Sequence, residues 1–220
     1  MTFLHLTASP SVAGSDHPLI GVLALQGDVR EHSAMVRELG AQVREVRKPE
    51  HLEGIQGLVI PGGESSVMDK LLRIFGLHQP LKAAIADGLP VLGTCAGLIM
   101  LADNLEDAIV GQETLGGLDI TVRRNAFGSQ VESSEADVAI SGVEGPPLRV
   151  AFIRAPVVTR VGEDVAIIAS LPGGEVVGVR RGPLIGVAFH PEITGDDRLH
   201  RLFVESVRSA KFQVPALQTA

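Results

Sequence analysis

The sequence predicts an α/β protein, a doubly wound, mixed but mostly parallel sheet flanked by helices, with antiparallel strands added to it. Two observations lead there. Short continuous apolar runs ending in glycine or cysteine alternate with segments of helical period, the pattern of βαβ units whose strands are buried on both faces. Beyond about Gly116 the texture changes to strand-like segments joined by Gly/Pro turns, which suits antiparallel additions.

The elements follow in order. "LIGVLALQG", from Leu19, reads as the first buried strand. "DVREHSAMVRELG" sets Val29, Met35, Val36 and Leu39 near one helical face and stops at Gly40. "QVREV" is a short strand. "IQGLVIPGG" is a buried strand ending in Pro61-Gly62-Gly63, and "ESSVMDKLLRIFG" and "QPLKAAIADG" are helices, the second with Pro80 near its start. "LPVLGTC" is a third buried strand and "AGLIMLADN" a helix. The later strand-like segments are "LDITVRRN", "LRVAFIRAPVVTRV", "VAIIAS", "EVVGVRRG" and "PLIGVAFH". A closing helix, "DDRLHRLFVESVRSA", carries Leu199, Leu202, Phe203 and Val207 on its apolar face. Residues 1–18, rich in Ser, Pro, Gly and Ala, are expected to form a disordered leader, 19–210 a single domain, and 211–220 a fraying tail.

Bulk properties narrow the function. A net charge of -7, no Trp, no Tyr and seven Phe argue against a nucleic-acid partner, which needs a basic stripe or stacking platforms. No apolar run reaches the roughly 18–20 residues of a membrane span. A single cysteine excludes an intrachain disulfide framework, and the natural compartment for it is a reducing cytoplasm. Neither Gly-x-x-x-x-Gly-Lys-Ser/Thr nor Gly-x-Gly-x-x-Gly occurs, so no nucleotide cofactor is expected. Without His-Glu-x-x-His or a second cysteine, no metal site is expected either.

That lone cysteine stands in "GTCAG", Gly93-x-Cys95-x-Gly97, at a strand-to-helix turn. It is the thiol counterpart of the Gly-x-Ser-x-Gly elbow, where small neighbours let the backbone bend and a substrate approach. A helix N-terminus there favours thiolate and aims the Ala96 N–H at a developing oxyanion. Taken alone, the pattern fits a buried structural cysteine equally well. A general base tips the balance. "LIGVAFHPEITG" runs a buried strand into His190-Pro191-Glu192, so the imidazole can reach the sheet rim with Glu192 fixing its tautomer. Of the other histidines, His5 and His17 fall in the leader, and His51, His78 and His200 read as surface positions. In "VIPGGESS", Gly62 and Gly63 can supply a second oxyanion donor, although a lone Gly-Gly pair fits an ordinary turn as well.

Strand-PGG, strand-GxCxG-helix and strand-HPE, in that order, resemble the triad glutamine amidotransferases. "LQGDVREH", "PGGESS", "GTCAGLIMLA", "RRNAFGSQ", "FIRAP" and "FHPEITGD" narrow the resemblance to the glutaminase subunits of pyridoxal 5'-phosphate synthase, from about Ile20 to Val207. It implies a flavodoxin-like class I amidotransferase fold and a triad of Cys95, His190 and Glu192. Gly63 and Ala96 would form the oxyanion hole. L-glutamine would be held by Gly62, Gly63, Glu64, Arg124, Ile153 and Arg154. An arginine fork suits the carboxylate of that zwitterion. The implied activity is hydrolysis of L-glutamine to L-glutamate and ammonia, passed to a ring-forming synthase subunit in a large hetero-oligomer. Gln26, Arg30, Glu31 and His32 would form the partner interface, with Asp28 as a helix cap. Three departures from the family stand out: Ser66 in place of threonine, Ser129 in place of arginine, and the leader. The competing readings are a glutaminase serving another synthase, a peptidase/chaperone-like protein with a similar elbow, and a catalytically silent docking subunit.

Overall fold

The computed structural model describes residues 17–124 and 134–215. Residues 1–16 of the expected leader, Asn125–Gln130 of "RRNAFGSQ" with Ser129, and 216–220 lie outside the described residues.

Among the described residues twelve strands and six α-helices follow one another. They are β1 (Leu19–Leu23), α1 (Val29–Glu38), β2 (Gln42–Val46), β3 (Gly57–Ile60), α2 (Ser65–Ile74), α3 (His78–Ala86), β4 (Val91–Thr94), α4 (Ala96–Leu101) and β5 (Ala102–Leu105). Then come β6 (Leu118–Arg123), β7 (Ser134–Val138), β8 (Leu148–Phe152), β9 (Val157–Val161), β10 (Ala166–Ser170), β11 (Val176–Arg181), β12 (Leu184–Val187), α5 (Pro191–Thr194) and α6 (Arg198–Ala210). The main sheet runs β2-β1-β3-β4-β12-β11-β9-β6-β5, with β10 against β11, while β7 and β8 form a separate antiparallel pair. The strands from β2 to β12 are mutually parallel, and β11 and β9 pair antiparallel with their neighbours. The fold is therefore the doubly wound, mixed sheet that the sequence predicts.

Burial explains the apolar runs. All of β3, β4 and β12 is buried, because the sheet is covered on both faces. Register then builds the rim. Ile60 pairs with Gly93, and Val187 pairs with Thr94, so β3, β4 and β12 end at one level. Chain leaving these strands at their carboxyl ends converges there, as it does at ligand sites of open α/β sheets.

Several expectations need correction. "AGLIMLADN" is helical only to Leu101; Ala102–Leu105 is strand β5, parallel to β6. The carbonyl of Met100 accepts from the N–H groups of Leu115 (2.8 Å) and Gly116 (3.2 Å), and the Asp103 carboxylate from Gly117 N–H (2.9 Å), which ties the chain to β6. "LRVAFIRAPVVTRV" is two strands in two sheets, divided where Arg154 turns to φ 46°. The tail does not fray at its start. Val214 is buried and exchanges backbone bonds of 2.9 Å with Gly54 and Ile55. Nor is the leader's end loose, since His17 Nδ1 lies 2.6 Å from Gly40 O and Pro18 O accepts from Gln42 N–H. His78 and His200, expected at the surface, are buried. Among the described residues no helix is long and apolar enough to cross a membrane.

Candidate active site

Cys95 links β4 to α4 with φ 49° and ψ -102°, a conformation that costs a non-glycine residue about 1–3 kcal/mol and persists only where its surroundings impose it. Its N–H donates to Val187 O (2.8 Å), continuing the β4–β12 pairing past the strand. The two flanking glycines have a packing reason. A Cβ on Gly97 would stand 2.1 Å from Ile60 O, and one on Gly93 would stand 2.6 Å from Gly97. Only bare backbone lets α4 start so close to the sheet. Though only 6% exposed, Cys95 lines a cavity of about 340 Å³. That size suits a small-molecule ligand. Its thiol makes a weak contact to Ile153 O at 3.7 Å.

His190 reaches the same cavity from the end of β12. Its N–H donates to Ala151 O (2.8 Å), which clamps the backbone against β8. Its Nδ1 lies 2.7 Å from Glu192 Oε1 and 3.4 Å from Asp28 Oδ2. Glu192 comes from the first turn of α5, which Gly195 ends in a left-handed conformation. With Nδ1 engaged, Nε2 is left for the sulfur. Burial opposes an imidazolium at His190, but the hydrogen bonds and charges of Cys95 and Glu192 outweigh it and raise its pKa to about 10. An imidazolium at neutral pH is what a cysteine–histidine pair uses to hold a thiolate.

The residues expected around glutamine divide into wall and support. Gly63, Glu64, Arg124, Ile153 and Arg154 line the cavity. Gly62 is instead buried beneath the imidazole, and Ala96 is the fully buried first residue of α4. Glu64 caps α2 through Ser66 N–H (3.3 Å) and the Ser66 hydroxyl (3.0 Å), so serine at 66 retains the hydroxyl. It also lies 3.6 Å from Arg124 Nη1. Sequence reasoning missed Gln112. It accepts from Arg124 Nη1 (3.1 Å) and donates to Ser65 Oγ (3.2 Å), which holds the guanidinium over the cavity. Among the described residues, Arg124 Nε is buried without a partner. No local pattern marks Gln112 for this site, because Arg124 and Ser65 lie in other elements.

The "LQGDVREH" segment separates into distinct sites. Gln26 packs over Gly63, where a Cβ would meet its Nε2 at 2.1 Å. Arg30 and Glu31 form a surface ion pair of 2.9 Å. His32 cannot belong to a surface interface, because it is completely buried. It sits behind His190, in contact with Thr94, His200 and Glu192. Its spacing to Met35 and Val36, three and four residues on, puts it on the buried helical face, a signal that was legible. Asp28 makes no side-chain cap bond and faces His190 instead. Asp28, His190 and Glu192 bring three metal-capable atoms within 4.8 Å of one another, a grouping that no sequence spacing announced.

Comparison with known proteins shows the family. The family model described as "SNO glutamine amidotransferase family" matches residues 22–209. "Pyridoxal 5'-phosphate synthase subunit PdxT" of Clavibacter sepedonicus is 58% identical over 205 residues, covering 93% of this chain and 98% of that protein. The protein of the same name from Leifsonia xyli subsp. xyli (strain CTCB07) is 57% identical over 196 residues, covering 89% and 98%. A solved structure described as "Crystal structure of glutamine amidotransferase" superposes with a TM-score of 0.80 at 46% identity, covering 86% of this chain and 98% of its own. With its elbow cysteine, its histidine at a strand end and a family match over most of its length, the chain belongs to the SNO glutamine amidotransferase family.

Proposed function

We propose that this chain hydrolyses L-glutamine to L-glutamate and ammonia through Cys95, His190 and Glu192, as the glutaminase subunit of a pyridoxal 5'-phosphate synthase. The observation that carries the chemistry is the 2.7 Å bond from His190 Nδ1 to Glu192, on an imidazole whose other face serves an elbow cysteine. The name of the relatives, at 58% and 57% identity over nearly their full length, supports the choice of pathway over the competing synthases.

The thiolate of Cys95 attacks the glutamine side-chain amide carbon. The N–H groups of Gly63 and Ala96 receive the oxyanion of the tetrahedral intermediate. His190 donates its Nε2 proton to the departing nitrogen. Ammonia leaves, and a glutamyl thioester remains on Cys95. Neutral His190 then takes a proton from water, whose oxygen attacks the thioester carbonyl. Collapse releases glutamate and restores the thiolate–imidazolium pair. Glu192 stabilises the imidazolium in both half-reactions. Arg124, steadied by Gln112 and Glu64, receives the substrate carboxylate, and the Ile153–Arg154 turn closes the wall beside the sulfur.

Ammonia passes to a synthase subunit within a hetero-oligomer, docked through the exposed Arg30–Glu31 end of α1 and Gln26. A cytoplasmic setting suits the free thiol. The test exchanges Cys95 for alanine and follows glutamate release with the synthase subunit present. Release is expected to vanish, while cofactor formation from added ammonia persists. Undiminished release overturns the triad.

A further inference from the structure

We infer that His32 is a positioning residue for Glu192: an imidazole buried behind the triad, whose Nε2 carries the proton and stands between Thr94 Oγ1 and the second carboxylate oxygen. This inference rests on the triad reading.

Glu192 uses only one oxygen on His190. Its Oε2 is buried and has no conventional hydrogen-bond partner among the described residues. His32 Nε2 lies 3.5 Å from it and 3.2 Å from Thr94 Oγ1. On its other side His32 Nδ1 lies 2.8 Å from His200 Nε2. His32, Thr94 and His200 are each 0% exposed.

Two neutral arrangements of the His32–His200 pair are available. With the His32 proton on Nδ1, the Nε2 lone pair can accept from the Thr94 hydroxyl but also faces a carboxylate oxygen. His200 must then accept at Nε2 and carry its own proton on Nδ1, where no acceptor stands among the described residues. With the proton on Nε2, His32 donates towards Thr94 and Glu192 and accepts from His200 Nε2–H. Only the lone pair of His200 Nδ1 is then unmatched. The second arrangement avoids both the repulsion and the orphaned donor. Burial first, and then the neighbouring His200 and His190, hold His32 well below its usual pKa, so the ring is neutral. Burial likewise pushes His200 down to about 4, against the pull of Asp197.

At 3.5 Å the contact exceeds an ordinary hydrogen bond. It acts as an oriented N–H dipole in a buried site, where such dipoles act strongly. It resists rotation of the carboxylate away from His190. The ionisable groups around Glu192 are His190 beside it, Cys95 beyond that ring, Asp28 and His32 from the start and body of α1, and His200 from α6.

The first test uses the unmutated protein. Histidine 15N NMR of the labelled chain at pH 7, with His32 assigned by its loss in His32→Gln, is expected to report the neutral Nε2–H tautomer. A Nδ1–H tautomer or an imidazolium overturns the inference. The second test is kinetic, with the synthase subunit present. His32→Leu is expected to lower kcat about tenfold at unchanged KM, the scale of losing an outer-shell partner. His32→Gln, whose amide N–H can reach the same oxygen, should recover most of the lost kcat. A folded His32→Leu protein with unchanged kcat overturns the inference. Full glutamate release by Cys95→Ala would overturn the triad and this inference with it, whereas the wrong His32 tautomer removes this inference alone.

Discussion

Gly62 and His190 approach so closely that a Cβ on the glycine would stand 2.3 Å from Cε1 of the imidazole. The strand-PGG motif thus leaves room for the imidazole. Gly62→Ala is expected to rotate the imidazole and lower kcat about 100-fold, the cost of roughly 1 Å of misplacement. Overpacking should also cost stability, about 1–3 kcal/mol. Steady-state kinetics and urea denaturation of the variant check both.

Two carboxylates face His190 Nδ1 at unequal distances, Glu192 at 2.7 Å and Asp28 at 3.4 Å. Glu192 is buried, while the Asp28 side chain is 39% exposed and screened by solvent. Glu192→Gln is therefore expected to lower kcat by roughly 10²–10⁴. Asp28→Asn should cost less than about tenfold. Equal losses in a glutamate-release assay would show that the two carboxylates share the role.

The raised pKa of His190, about 10, owes its upward part to Cys95 first and Glu192 second, against burial. NMR titration of the native chain should find an imidazolium through neutral pH. In Cys95→Ala the proton should leave at lower pH, because burial remains and the main opposing contribution is gone. An unchanged titration would dissociate the imidazolium from the sulfur.

Gln112 reaches Arg124 from a loop that carries no motif. If it aims the guanidinium at the substrate carboxylate, Gln112→Ala should raise KM for glutamine about tenfold with kcat nearly constant. That is the loss of roughly 1.4 kcal/mol of binding. A fall in kcat at constant KM would assign Gln112 another task.

Stability should fall in mild acid. Folded His200 has a pKa lowered to about 4 by burial, against a usual value near 6.5. Between those values the unfolded chain binds more protons, so acid favours unfolding. This contribution is complete above pH 6.5, declines as pH falls and levels off below about 4, a span on the order of 3 kcal/mol. Urea midpoints at pH 7 and 4.5 measure it, and a His200→Leu variant should show a shallower slope.

Much of the fold was legible because its signals are local. Continuous apolar runs mark strands covered on both faces, and β1, β3, β4 and β12 appear where those runs occur. The elbow and the His-Pro-Glu segment were legible for the same reason, since a nucleophile on a tight turn needs small neighbours in sequence. Other features depended on distance through the chain. His32 and His200 lie 168 residues apart and touch at 2.8 Å. Histidine reads as a surface residue until a partner satisfies it, and on α6 the buried set includes His200 and Val204 as well as the expected Leu199, Phe203 and Val207. Sequence pattern determined most of the strands, though not β5 or β7, which helix starts at the cysteine, and which residues stand ready at strand ends. Only the assembled sheet decided which polar groups share a buried space, because a hydrogen bond is set by register and packing across elements, and neither is written in the spacing of any single one.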